Sequence, residues 1–374
     1  MEFRDLKRQY LSLKDKIDAA VSSAISSGSF IMGPQVMELE ARLAEYVGVA
    51  HCVTCANGTD ALRIALDIWN VGPGDAVFVP DFTFFASAEV IAAVGATPVF
   101  VDVDERSFNI SVSDLEAKIS KVLLEGRLSP KVIIAVDLFG LPADYDSIRS
   151  VADKYGIMLL EDGAQGFGGS ISGKRACSFG DIATTSFFPA KPLGCYGDGG
   201  AIFTNNSEWA DLARSLRVHG KGKDKYDNVR IGFNSRLDTV QAAVLLVKLD
   251  AFVEFELDSV ASVADQYTSA LSDLTRCPVV PDGYSSSWAQ YTVQLDSAEH
   301  RSVVQKGLRD KGIPSMVYYP KPMHEQGAFR SLVVGDDCCP VSSRLVHTVL
   351  SLPMHPYLGQ DEVGLVVNTL KDLL

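Results

Sequence analysis

The chain has 374 residues, 47% hydrophobic and 22% charged, which is the profile of a globular protein with room for one large domain and a smaller one. A formal net charge of −13 argues against a nucleic-acid partner, because phosphate backbones need a basic face, yet it leaves room for a small phosphorylated ligand held by a few oriented N–H groups. The seven cysteines form no framework, the start Met1 to Lys7 lacks a secretory pattern, and apolar runs such as Val132 to Val136 are too short for a membrane span, so a cytoplasmic protein with no membrane contact is expected.

In chain order, the first two-thirds alternates short apolar runs with helical patterns, which predicts a parallel sheet with crossover helices. Strands are expected at 51–55, 76–80, 97–102, 132–136, 158–161, 183–187 and 200–204, with helices at 60–68, 86–94 and 145–155 among them. In the first strand, Cys52-Val53-Thr54-Cys55 has the form of a redox or zinc half-site. Cys338-Cys339 supplies no second pair with zinc spacing, so a buried strand is the better reading and no metal is expected. A long helix is expected over 238–252, with Asp238 as its N-cap and Gln241 three residues on, and a second over 258–274. A strand at 290–295, a helix at 302–311 and a proline-rich piece from Pro314 to Pro322 follow. The boundary of a smaller C-terminal domain is placed near residue 250, giving units 1–250 and 251–374.

Three segments carry chemistry. Asn57-Gly58-Thr59-Asp60 lies between a strand and a helix start, where Gly58 permits close approach and free N–H groups point at an anion. Asp162 ends the apolar strand of Leu159-Leu160-Glu161, at the carboxyl edge where open parallel sheets bind ligands. It serves equally well, by itself, as a turn cap. Lys191 sits in Ser186-Phe187-Phe188-Pro189-Ala190-Lys191-Pro192, beside two aromatics and ahead of a glycine-rich stretch. Apolar surroundings disfavour an ammonium and make a nucleophilic amine accessible, although a loop lysine can also reach out to solvent.

A phosphate turn, an acid at a strand end, and then Ser and Lys at a later strand end are the parts of a pyridoxal-phosphate (PLP) site. The chain resembles fold-type-I PLP enzymes, specifically the DegT/DnrJ/EryC1/StrS nucleotide-sugar aminotransferases. The likeness runs from Phe3 to Tyr357 and includes Phe30-Ile31-Met32-Gly33-Pro34, Pro80-Asp81-Phe82-Thr83-Phe84, Glu161-Asp162-Gly163-Ala164-Gln165, Gly197-Asp198-Gly199-Gly200 and Gly232-Phe233-Asn234-Ser235-Arg236. It implies an α/β fold, with a large domain whose mainly parallel sheet lies between helices and a smaller α/β C-terminal domain. By the same resemblance Lys191 forms the Schiff base and moves the proton, Asp162 pairs with the pyridine nitrogen, and Gln165 lies near the phenolic oxygen. Phe84 stacks on the ring, while Gly58, Thr59 and Ser186 hold the phosphate. Asn234 reaches the phosphate of the neighbouring subunit's site, which implies a homodimer with shared sites. Gly163 departs from the alanine of many relatives, a change expected to be tolerated.

The stretch from Thr185 to Asn205 is most similar to the branch that aminates the 3-keto position of a UDP-linked N-acetylglucosaminuronate for O-antigen synthesis, with L-glutamate as donor. Candidate substrate contacts are His219, Arg236, Tyr318, Tyr319 and His355. His219 is equally readable as a solvent-facing loop residue, and Arg236 as the partner of Asp238 or another acid. Tyr318 stands where many relatives have histidine, which leaves open a dTDP- or GDP-linked keto-deoxyhexose as substrate. Lys191 disfavours the dehydrating subgroup, which has histidine there. A non-catalytic protein on this fold would be expected to have lost Lys191, Asp162 or Ser186. A dinucleotide oxidoreductase would want Gly-x-Gly-x-x-Gly after the first strand, and none is there.

Overall fold

Short runs of Val, Ile, Phe and Leu form strands that are mostly buried: β1 (His51–Cys55), β2 (Asp75–Pro80), β3 (Thr97–Val101), β4 (Ser129–Val136) and β5 (Met158–Asp162). A small hairpin, β6 (Ser170–Ile171) and β7 (Lys174–Arg175), precedes β8 (Ile182–Ser186) and β9 (Gly200–Thr204). The structure, a computed structural model, describes residues 1–224, 226–330, 332 and 339–374; Cys338 of the Cys338-Cys339 pair lies outside the described residues. The main sheet has seven strands in the order β1-β9-β8-β5-β4-β2-β3. From β8 to β3 every neighbour is parallel, whereas β9 is antiparallel to both β8 and β1. That departure from the parallel expectation has a simple cause. The β8–β9 connection, residues 187–199, contains no crossover helix, so the chain turns straight back beside the strand it left.

Period-2 alternation distributes the strands' side chains between two layers. Val77, Val132, Ile134 and Ile202 pack with Leu62, Ile64 and Leu66 of the Gly58–Ile68 helix. Phe78, Ile133 and Leu159 face the other way, against Leu115, Ile119 and Ile148 of the Val112–Glu125 and Tyr145–Tyr155 helices. Cys52 and Cys55 follow the same rule and belong to cores on opposite faces of β1, so they cannot share one ion. Burial pushes both thiols up.

One helix lies where no element was expected, and two expectations further on are altered. The Leu6–Ser27 helix, capped by Asp5 on the Arg8 N–H at 2.8 Å, packs Leu13 and Ile17 against Val244 and Ala251. The two expected helices near residue 250 are continuous. Thr239–Ala251 runs through a π turn, Phe252–Glu256, into Leu257–Leu271, with no Gly or Pro to interrupt it, and residue 250 falls inside this run. Asp238 stands at the N-cap but makes no capping bond, and Gln241 accepts from the Tyr196 N–H at 2.8 Å instead, a tertiary partner displacing a local one.

β10 (Tyr284–Ser285) joins the β6–β7 hairpin, and β11 (Tyr291–Gln294) pairs antiparallel with β12 (Val349–Leu352). Val293 and Leu350 pack there with Val263 and Leu271, Val304 and Leu308, and Val366 and Leu370 from three helices. Met323, Phe329 and Leu345 join the core of the main sheet.

A buried ion pair ties three elements together at β1. Arg217, 4% exposed, meets the Glu40 carboxylate of the Pro34–Val47 helix and donates to the Thr54 carbonyl at 2.6 Å; Glu40 also accepts from the Thr54 N–H at 2.8 Å. Glu40→Ala leaves a buried guanidinium without its counter-charge and should cost about 3–5 kcal/mol of stability, measured by urea unfolding.

Candidate active site

Because β9 reverses, β1 and β8 run the same way on either side of it and end at one edge of the sheet. Cys55, Gly200 and Ser186 stand in register across the three strands. Asp162, at the end of β5, lies beside Thr184 of β8. The segments that follow these strands therefore meet over that edge and enclose a cavity of about 410 Å³. Lys191, Asp162, Ser186, Gly58 and Thr59 line it, and Phe84, Gln165, Tyr318 and Tyr319 complete its wall.

Gly58 sits against β8: a Cβ there would stand 2.7 Å from the Ser186 Cβ. Asn57 caps the helix by accepting from the Asp60 N–H at 2.7 Å, and helix geometry leaves the Gly58 and Thr59 N–H groups without intrahelical acceptors. Asp162 is 5% exposed, and burial raises its pKa. The Ser87 hydroxyl at 2.7 Å, the Ala164 N–H at 3.2 Å and the nearby Lys191 charge oppose that rise. Burial lowers the Lys191 pKa, with Asp162 pulling it up and Arg4 adding to the fall. Gly163 gives room to a buried thiol, since a Cβ there would come within 2.5 Å of the Cys177 Sγ.

On the opposite wall, the Gln165 side chain accepts from the Phe139 N–H at 2.8 Å and donates to the Tyr319 hydroxyl at 3.0 Å. Phe84 is 52% exposed at the rim, 6.1 Å from the Tyr319 ring, and Tyr318 lies edge-on to Phe3 at 6.1 Å. Ser87 and Arg4 were not singled out from sequence. Ser87 follows the Pro80-Asp81-Phe82-Thr83-Phe84 segment by three residues, but no local pattern marks it. Arg4 has no local signal at all.

The remaining candidates lie elsewhere. His219 and Arg236 line a second, open pocket of about 1200 Å³, and Asn234 accepts a hydrogen bond from Arg236, which takes the place of the ion pair with Asp238. His355 is 2% exposed, is absent from the cavity wall, and has no partner for either ring nitrogen. His324 is fixed by Asp81, which accepts from its N–H at 2.8 Å and bonds its Nδ1 at 2.7 Å. With Cys339 these two bring three potential ligand atoms within 4.8 Å of one another, the one such group among the described residues.

Comparison with known proteins places this geometry. The family model of the DegT/DnrJ/EryC1/StrS aminotransferases matches residues 11–371. The chain belongs to that family. It is 46% identical over 373 residues, 99% of each chain, to the UDP-2-acetamido-2-deoxy-3-oxo-D-glucuronate aminotransferase of Pseudomonas aeruginosa. A crystal structure of a family member from Brucella abortus superposes with a TM-score of 0.97 at 49% identity, covering 100% of this chain and 99% of that one. NtdA from Bacillus subtilis, crystallised with bound cofactor PMP, matches with a TM-score of 0.87 at 28% identity, covering 97% of this chain and 82% of that one.

His355 carries a pH signature. Burial, with Arg4 and Arg8 assisting against Asp5 and Glu362, pushes its pKa from 6.5 down to about 4. The unfolded chain takes up this proton at higher pH than the folded one, so stability should fall as pH drops from 6.5 towards about 4. His355→Gln should flatten that acid-side loss, measured by urea midpoints over the same range.

Proposed function

We propose that the chain is a PLP-dependent transaminase that moves the amino group of L-glutamate to the 3-keto position of UDP-N-acetyl-3-oxo-glucosaminuronate, in the cytoplasm and for O-antigen synthesis. The observation that carries this reading is the meeting of Lys191, Asp162, Gly58, Thr59 and Ser186 in one cavity. The full-length identity of 46% to an enzyme named for that sugar supports the substrate.

The cavity fits PLP on its own geometry. The missing Cβ of Gly58, the free N–H groups of the helix start and the Ser186 hydroxyl suit a phosphate. Asp162, held by Ser87 and Ala164, suits a protonated ring nitrogen, and Lys191 supplies an amine within the same wall. When bound, the cofactor supplies an electron sink for amino-group chemistry at donor and acceptor carbons. The protein's own part is binding, orientation and proton movement. Burial keeps the Lys191 Nζ closer to neutrality, so that it can take up a proton and return it. Asp162 Oδ1 and Oδ2 are aimed by the Ala164 N–H and the Ser87 hydroxyl, which also favour the carboxylate form. Gln165 and Tyr319 brace each other, and Phe84 limits access of water from the rim.

A homodimer belongs to the same proposal. Beside the second pocket, Tyr226, Val229 and Ile231 are 86%, 55% and 94% exposed, an apolar group that an opposing copy would cover. Asn234, His219 and Arg236 then serve the neighbour's cavity, with Asn234 at its phosphate turn and the other two towards the nucleotide sugar. A charge in the centre of that face, Ile231→Asp, should convert the dimer to monomer in analytical ultracentrifugation and remove activity with it.

Chemistry is tested by absorbance. Glutamate should convert the visible band of the holoenzyme to that of the amine form, and the 3-keto uronate should restore it. A protein restored only by a dTDP- or GDP-linked keto-sugar would lose the substrate but keep the class. Lys191→Ala should reduce turnover by about 1000-fold or more.

A further inference from the structure

The turn that carries Lys191 has no secondary structure of its own, yet its carbonyl groups are held from the side away from the cavity. Arg4, ahead of the first helix, donates from Nη2 to the Lys191 carbonyl at 2.7 Å and to that of Pro192 at 3.4 Å. Lys248, 1% exposed on the Thr239–Ala251 helix, donates to the Gly194 carbonyl. Neither side chain lines the cavity. Both cations face Glu256, 3% exposed, whose Oε1 accepts from Gln9 at 2.8 Å and Tyr357 at 2.7 Å.

We propose that Arg4 is a positioning residue for Lys191: it fixes the lysine-bearing turn through the Lys191 and Pro192 carbonyls and places a permanent positive charge beside the lysine. The proposal rests on the reading of Lys191 as the cofactor-bearing residue. A guanidinium suits the task because it stays charged at neutral pH and the two N–H bonds of Nη2 alone serve two successive carbonyls. Like charges repel, so Arg4 disfavours the ammonium form of Lys191, in the same direction as burial and against Asp162. The groups facing Arg4 itself are Glu256, Tyr318, Lys248 and His355. Burial pushes the Arg4 pKa down to about 10, which leaves it charged through the neutral range.

The test uses the cofactor-free protein. Labelling of Lys191 by acetic anhydride across pH, read by peptide mass spectrometry, reports the neutral fraction of its amine. Arg4→Met, which keeps the aliphatic stem, and Arg4→Gln should each move the labelling midpoint to higher pH and slow labelling at neutral pH by about threefold to tenfold. Arg4→Lys should bring the midpoint back. Arg8→Gln, which loosens the same segment by removing the 2.7 Å bridge to Glu362, should leave it unmoved. An unchanged midpoint in whichever neutral Arg4 variant folds overturns the proposal, as does an equal shift in Arg8→Gln. Failure of the underlying reading looks different: Lys191→Ala would then bind PLP with the wild-type visible absorbance, whatever the labelling profile.

Discussion

One strand running against its neighbours sets the geometry of the whole site. Because β9 lies antiparallel between β1 and β8, the carboxyl ends of those two strands share an edge, and their continuations must pass over it. The connection from β8 to β9 bends back over the same edge and brings Lys191 with it. Gly58 is forced against Ser186 by that closeness, at a separation where any side chain on residue 58 would collide. A fully parallel arrangement would need a crossover helix after β8, which would carry the lysine away from the acid at the end of β5.

The site also concentrates charge where water is scarce. Asp162 and Lys191 are both displaced by burial from their ordinary titration, in opposite senses, and each partly restores the other. Ser87 and the Ala164 N–H bias the acid towards its ionised form. Behind the lysine, Arg4 and Lys248 bind backbone carbonyls, and the charge of Glu256, held by Gln9 and Tyr357, offsets theirs. Such a network fixes geometry only while every member has a partner, because a single unpaired charge in low dielectric is costly. The function proposed for Arg4 follows from that arrangement.

The surface is divided by chemistry as well. The cavity wall combines buried residues such as Ser87, Asp162 and Gln165 with exposed ones such as Phe84, Phe188 and Asp198, while the second pocket gathers Arg214, Arg217, His219, Lys221, Arg230 and Arg236 in a chain of net charge −13. Of these cations, Arg217 is matched by Glu40 and Arg214 by Asp211. Beside that pocket the apolar side chains of Tyr226, Val229 and Ile231 are left in water.

The sequence by itself determined the strands and the parts of the site. Strands 51–55 and 200–204 match the structure to the residue, and the other five main-sheet strands are found with shifted ends, because a short apolar run with turn residues at its ends is a local signal. The order of Gly58, Asp162, Ser186 and Lys191 was likewise legible, since each residue ends or follows a strand. Tertiary structure alone decided the direction of β9, the diversion of Gln241 to Tyr196, the burial of His355 away from the cavity and the distance of His219 and Arg236 from Lys191. It also decided that Ser87 reaches Asp162 across 75 residues and Arg4 reaches Lys191 across 187. Local periodicity records which face of an element is apolar, but a hydrogen bond between distant segments leaves no periodic trace in either of them.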